Sequence, residues 1–338
     1  MALRVIVVGT GSRGQDWMRE LQSAPAYQLV AVVDSNREVL KQALSNGFSA
    51  VPCFTDFQTA LEQVTCDAVI VATSVDSHVG PCELSLSRGL PVLVEKPFAQ
   101  TLDEAKRLVS LGEQQATPLI VAQNYRYMRA FRTARRVIAE GQLGRIGMVV
   151  CQYYRVPHAM AASLARVENS VLWGAGVHHL DALRYILDKP VTKVLSHKFS
   201  MPWGTLPRGG SMSAMLSFGD ETSAFYSLTY ESSGHQFFER GQEFYLRFVG
   251  EKATLHVFQR WLILCANGKL PRVIRRGKRT VTEERVLLDQ LEGAILHNVK
   301  PDSSGRDNLQ TMAIVEACVM SADREVWVDP QELLDDES

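Results

Sequence analysis

No C-x-x-C pair occurs among the six cysteines (Cys53, Cys66, Cys82, Cys151, Cys265 and Cys318) of this 338-residue chain. Scattered single thiols exclude a disulfide frame or a cysteine zinc site and point to reduced cysteines in a cytoplasmic protein. No apolar stretch approaches the ~18 residues that a membrane-spanning helix needs. Met1-Ala2-Leu3-Arg4 runs straight into a strand, so no signal peptide is expected. Neither sign of charge is in excess: 36 Lys and Arg face 37 Asp and Glu, a formal net charge of −1. No global field therefore recruits nucleic acid or anionic lipid. The one basic run, Arg272-Val-Ile-Arg-Arg-Gly-Lys-Arg279, reads as a solvated hairpin. The chain has no G-x-S-x-G elbow and no H-E-x-x-H pair, which argues against a serine hydrolase and against a bound metal.

What is present is an alternation. Arg4-Val-Ile-Val-Val8 empties into Gly9-Thr-Gly11-Ser-Arg-Gly14, and Gln15 to Gln22 has helical composition. In a strand–turn–helix of this kind the first glycine permits the turn, the second admits a pyrophosphate to the backbone, and the third lets helix and strand pack. The next apolar run, Leu29 to Val33, ends in Asp34, placed to accept hydrogen bonds from an adenosine ribose. Asp34 repels a 2′-phosphate and so favours NAD, while Arg37 leaves NADP open. Helices over Arg37–Ser45 and Phe57–Gln63 flank a short strand near Val51, and Asp67 to Thr73 is a further strand. Such an order implies a parallel sheet with right-handed crossovers. The polar loop Thr73-Ser-Val-Asp-Ser-His78 opens a helix for which Ser77 suits the N-cap, and His78 either lines the nicotinamide end of the crevice or packs there.

The strand Val92-Leu-Val94 ends in Glu95-Lys96-Pro97, which projects Lys96 from the carboxyl end of a parallel sheet, where ligands bind. Thr101-Leu-Asp-Glu104 is a capping box for a helix to about Gln115, and Pro118 to Ala122 is the last strand of a first domain, residues 1–123. Residues 124–338 change character. A helix over Arg129–Glu140, a strand over Ile146–Arg155 and a helix over Gly176–Leu187 precede strands Val191–Phe199, Met212–Phe218, Thr222–Tyr230, Glu243–Val249, Ala253–Phe258 and Leu262–Cys265. Consecutive strands with short turns make an open, mainly antiparallel sheet, an α+β domain with helices on one face. Helical stretches Arg285–His297 and Gly305–Ala322 and a short strand Val326–Val328 close the chain. In Trp173-Gly-Ala-Gly-Val-His178-His179-Leu-Asp181, His178 and Asp181 share a helical face and His179 points elsewhere, a poor metal pair.

Together these pieces resemble the glucose–fructose oxidoreductase/inositol dehydrogenase (Gfo/Idh/MocA) family over nearly the whole chain: the GTGSRG turn, Asp34, the Thr73–His78 loop, Glu95-Lys96-Pro97, Gln123-Asn-Tyr-Arg-Tyr127 and Gly176-Val-His178-His-Leu-Asp181. The resemblance implies a Rossmann domain, a second domain whose sheet supports a homodimer or homotetramer, and NAD(P)-dependent oxidation or reduction of a secondary alcohol of a sugar, cyclitol or related polyol. It implies Lys96 and His178 as the catalytic pair, with a cis peptide before Pro97. For the cofactor the candidates are Gly9, Thr10, Gly11, Ser12, Arg13, Gly14, Asp34, Ser35, Arg37, Thr73, Ser74, His78, Glu95, Lys96, Pro97 and Gln123. Lys96, Tyr125, Arg126, Tyr153, Tyr154, Arg155, His158 and His178 are the candidates for substrate contact, since they offer donors and apolar ring faces. The family commonly places an aspartate four residues before the histidine. Here that position is Gly174, and Glu168 and Asp181 are the candidates for the missing charge. Two further readings follow from relatives of this kind: a redox-neutral glycosidase that keeps its NAD, and a dinucleotide-sensing regulator without catalysis.

Overall fold

The computed structural model describes residues 2–156, 169–204, 206, 209–232, 242–277 and 281–335. The chain divides into two compact units, residues 1–124 with 281–309, and residues 125–280 with 310–338.

The first unit is built on a six-stranded parallel sheet: β1 (Leu3–Val8), β2 (Tyr27–Val33), β3 (Cys53–Phe54), β4 (Ala68–Val71), β5 (Val92–Val94) and β6 (Leu119–Val121). Their spatial order is β3-β2-β1-β4-β5-β6, which places the topological switch between β1 and β4. The strands are near-continuous apolar runs because both faces are covered, and every residue of β4 and β5 is buried. Helices α1 (Ser12–Gln22), α2 (Arg37–Ala43), α3 (Phe57–Gln63), α4 (Val79–Ser87) and α5 (Leu102–Gln114) form the crossovers. The starts of several are fixed locally. Asn36 and Asp56 cap α2 and α3, and Thr101 and Glu104 form a reciprocal capping box on α5. Ser77 does not cap α4: it lies in a short turn over Val75–Ser77, and His78 occupies the cap position.

The second unit carries an eight-stranded sheet in the order β14-β13-β12-β11-β7-β10-β9-β8. Helices α6 (Arg129–Ala139) and α7 (Val177–Leu187) flank β7 (Ile146–Arg155) in sequence. Strands β8 (Lys193–Phe199), β9 (Ser211–Phe218), β10 (Thr222–Thr229), β11 (Gln242–Gly250), β12 (Ala253–Phe258), β13 (Leu262–Ala266) and β14 (Arg272–Ile274) follow. All pairings are antiparallel except β7 with β10. Alternation decides the faces: Val149, Cys151 and Tyr153 of β7 join Ala224, Tyr226 and Leu228 of β10 in one core with Phe131 of α6 and Leu183 of α7.

Three elements depart from the sequence reading. The short strand expected near Val51 forms at Cys53–Phe54, and the expected strand Val326–Val328 reduces to one bridge between Val328 and Val194. Helix α8 (Glu283–His297), expected in the second domain, belongs with the first unit. Its partners explain this: Tyr27 donates to the Leu288 carbonyl at 2.5 Å, Arg285 Nε donates to Glu20 at 3.1 Å, and Ser304 just beyond it bridges to Ile120 of β6. Helix α9 (Gly305–Arg324) then runs from the first unit into the second.

Candidate active site

The glycine turn of the first unit leaves no room for side chains where the chain folds on itself. A Cβ on Gly9, whose φ is +92°, would lie 2.5 Å from the Ala72 carbonyl carbon, and one on Gly14 would lie 1.9 Å from the Gly9 oxygen. Gly11 has open space instead, as an approaching ligand requires. It precedes α1, whose N-terminus receives no side-chain cap, so that backbone N–H groups remain for an anion. Asp34 is held by three donors: Oδ2 accepts from Thr10 N at 2.8 Å and Thr10 Oγ1 at 3.0 Å, and Oδ1 accepts from Asn36 N at 2.9 Å. A cavity of about 730 Å³ runs past Gly11, Ser12, Asp34, Ser35, Thr73 and Ser74. Arg37 is exposed at the start of α2 and does not line it.

Three of the cofactor candidates, Arg13, Glu95 and His78, are tied into the protein's own framework, and Arg13 also lines that cavity. Arg13 donates to Glu95 Oε1 through Nε and Nη2 at 2.9 and 2.8 Å, to Asp16 at 3.0 Å and to Glu284 at 3.2 Å. Burial opposes its charge, but Glu95 and Glu284 outweigh that and hold it more firmly protonated than an ordinary arginine. Glu95, 5% exposed, also accepts from Trp17 Nε1 at 2.9 Å. Its carboxylate thus binds strand end to helix. His78, 1% exposed, sets Nδ1 2.9 Å from the Pro97 carbonyl and Nε2 3.2 Å from that of Thr73. It joins the ends of β4 and β5, and burial lowers its pKa from the ordinary 6.5.

Between these two fixed neighbours stands Lys96, half-buried, with a cis peptide to Pro97. Burial is the main cause that pulls its pKa below the ordinary 10.5; Arg13 adds to this and Glu95 opposes it. At the end of β6, Gln123 is fully buried, and neither its Nε2 nor its Oε1 meets a hydrogen-bond partner among the described residues. A buried amide left so is costly unless a ligand or water answers it. The steric cradle at Gly9 and Gly14, the open approach at Gly11 and this amide fit a bound dinucleotide.

The second unit holds an aromatic cluster around α7. His178, 7% exposed, stacks on Tyr125 with ring centroids 4.1 Å apart and planes 9° apart. His179 packs among Tyr153, Tyr226 and Phe244, its Nδ1 3.0 Å from the Tyr226 hydroxyl. Burial, with Tyr230 next, pushes the Tyr125 hydroxyl up to about 12, against the pull of Arg155. Tyr153 and Tyr154 alternate across β7, so only Tyr153 faces this cluster; Tyr154 meets Ser227 and Gln152 on the other side of the sheet. Arg126 is not open to a substrate: its Nε and Nη2 grip Asp181 at 2.6 and 2.5 Å in a fully buried pair that Thr311 completes at 2.9 Å. Asp181, a candidate for the charge beside His178, is thus already shared with Arg126 and Thr311. His158 and Glu168 lie outside the described residues. Tyr230, which no sequence signal singled out, lies under the Arg155 guanidinium at 5.2 Å. Among the described residues no His/Cys/Asp/Glu group could hold a metal, and no helix is long and apolar enough to cross a membrane.

Comparison with known proteins adds to this geometry. The family model for oxidoreductases of the GFO_IDH_MocA type, described as an NAD-binding Rossmann fold, matches residues 3–123, and the model of the GFO/IDH/MocA C-terminal domain matches residues 131–256. A D-apiose dehydrogenase from Paraburkholderia graminis is 25% identical over 336 residues, 94% of this chain and 86% of that protein. An inositol 2-dehydrogenase from Streptomyces avermitilis is 30% identical over 197 residues, 57% of this chain and 55% of that protein. An oxidoreductase from Agrobacterium radiobacter, solved with NAD+, L-tartaric acid and magnesium, superposes with a TM-score of 0.89 at 21% identity over 98% of this chain and all of its own.

Proposed function

Because this chain belongs to the Gfo/Idh/MocA family of NAD-binding oxidoreductases, we propose that it is an NAD-dependent dehydrogenase acting on a secondary alcohol of a sugar, cyclitol or related polyol. The observation that carries the reading is Lys96, an amine partly withdrawn from water at the carboxyl end of β5, in the sheet that also bears the glycine turn and Asp34. Gly11, Ser12, Asp34, Ser35, Thr73, Ser74 and Gln123 would hold the cofactor, and when bound its nicotinamide supplies the hydride acceptor.

Removing a hydride from an alcohol leaves a proton to take and an oxygen that gathers negative charge. Lys96 serves as the cation beside that oxygen, and its lowered pKa lets it pass protons as well. His178 serves as the base, an imidazole whose ordinary pKa suits neutral pH and whose ring plane the stack on Tyr125 fixes. Asp34, with both oxygens already held, keeps a negative charge where a 2′-phosphate would lie, which favours NAD. The named activities of the dehydrogenase relatives support the polyol class.

Spectrophotometry with purified protein, NAD and a panel of free polyols tests the reading. NADH accumulation with at least one polyol is expected. Cleavage of aryl glycosides while NADH never accumulates would instead reveal a redox-neutral glycosidase. Tight NAD binding without turnover of any polyol or glycoside would make the protein a dinucleotide sensor.

A further inference from the structure

We propose that the substrate is a sugar acid whose carboxylate is received by Arg155; the inference rests on reading the second unit as the substrate-binding part of a polyol dehydrogenase. Arg155 ends β7, and strand alternation turns it to the same face as Tyr153, toward the aromatic cluster. Its guanidinium lies over the Tyr230 ring at 5.2 Å, and its charge bears on the hydroxyls of Tyr125 and Tyr153. Yet Nε is buried without a hydrogen-bond partner, and no carboxylate among the described residues pairs with the side chain.

Among the described residues, the carboxylates Glu231 and Asp181 of this unit are engaged elsewhere. Glu231, beside Tyr230 in sequence and 1% exposed, accepts from Met201 N at 2.9 Å, Leu206 N at 3.3 Å and Ser211 Oγ at 3.4 Å. Gly204 and Gly210 press against that carboxylate so closely that a Cβ on either would come within 2.2 and 2.4 Å of it. Asp181 is bound to Arg126. A guanidinium cannot shed its proton to escape burial, so its buried Nε keeps an unmet demand for an acceptor. A planar carboxylate meets that demand through two parallel bonds, and the surrounding phenols, which burial keeps protonated at Tyr125 and Tyr153, add O–H donors. One cation matches the single charge of a carboxylate better than the double charge of a phosphate ester.

The test is a thermal-shift titration of the full chain with saturating NAD against D-gluconate, D-galactonate and D-glucuronate, their neutral counterparts, and D-glucose 6-phosphate. At least one acid should bind about tenfold or more tightly than its neutral counterpart, and Arg155→Met should erase the preference, a loss on the order of 10- to 100-fold for a hydrogen-bonded charge. Arg155→Lys, which keeps the charge without the fork, should retain part of it. Equal binding of acid and neutral sugar, tighter binding of the phosphate ester, no response to any acid, or unaltered acid binding in Arg155→Met would each overturn the proposal. If Arg155→Met fails to fold, the preference of the unaltered protein decides. Turnover separates the two readings: NADH from neutral polyols with acids ignored sinks only the sugar-acid inference. Arg155-dependent acid binding without NADH sinks only the dehydrogenase.

Discussion

The polar groups around Lys96 and those around Tyr230 are treated in opposite ways. In the first unit, Glu95 collects Arg13 and Trp17, and His78 meets two carbonyls. The protein itself answers these charges and dipoles, so the strand ends are rigid before any ligand arrives. Gln123 alone among those candidates keeps a wholly unanswered amide. In the second unit Arg126 and Asp181 satisfy each other, whereas Arg155 lies over the Tyr230 ring with its Nε unanswered among the described residues. The contrast teaches how to sort ionisable candidates: a group satisfied by its own fold is framework, and a buried group left unanswered marks where a ligand belongs.

Substitutions can break or sharpen that contrast. The largest loss of stability should come from Asp181→Asn, which leaves Arg126 buried without its counter-charge. Breaking one partner of a buried pair costs about 3–5 kcal/mol, to be read from urea unfolding midpoints. His78→Leu should cost about 1–3 kcal/mol, because one of the Pro97 and Thr73 carbonyls loses the single N–H of the neutral ring. Its pH dependence has a definite sign. Burial keeps the folded pKa of His78 below 6.5, so below that pH the unfolded chain binds more protons than the folded one. Stability of the unaltered protein should therefore decline as the pH falls through 6.5, and His78→Leu should lack that part of the decline; identical slopes would contradict the neutral, buried assignment.

Lys96→Met should act in the other direction. Burial lowers the folded pKa of Lys96 below 10.5, so below that pH the unfolded chain holds the proton more tightly than the folded one. The variant should melt at a higher temperature than the unaltered protein at pH 7, with the gap closing as the pH rises toward 10.5. The smallest effect belongs to Arg155→Met, whose stability should lie within about 1 kcal/mol of the unaltered protein, since only the contact with Tyr230 is lost. A loss as large as that of Asp181→Asn would show that Arg155 is framework after all.

How far the residues alone disclose this depends on the distance over which the cause acts. The parallel sheet, the glycine turn and the second, mainly antiparallel sheet follow from local runs and periods. What stays hidden is set by partners remote in sequence. Arg126 and Asp181 are 55 residues apart, so the pair cannot be read from either motif, and Arg126 looks like a substrate residue until its partner is seen. Arg13 sits in the glycine turn and lines the cavity, and neither motif shows that Glu95, 82 residues on, accepts from it. Helix α8 carries no local mark of the unit it joins; only Tyr27, Glu20 and Ile120 reveal that. Tyr154 fails for a simpler reason, since strand alternation already forbids it from sharing a face with Tyr153.

The central claim is that the amine of Lys96 works directly on the reacting alcohol rather than holding the fold. Steady-state NADH formation by Lys96→Met, on a polyol that the unaltered protein oxidises, tests it most directly. A loss of at least about a hundredfold in turnover with unchanged affinity for NAD is expected. Turnover at the unaltered rate in a folded, NAD-binding variant would contradict it.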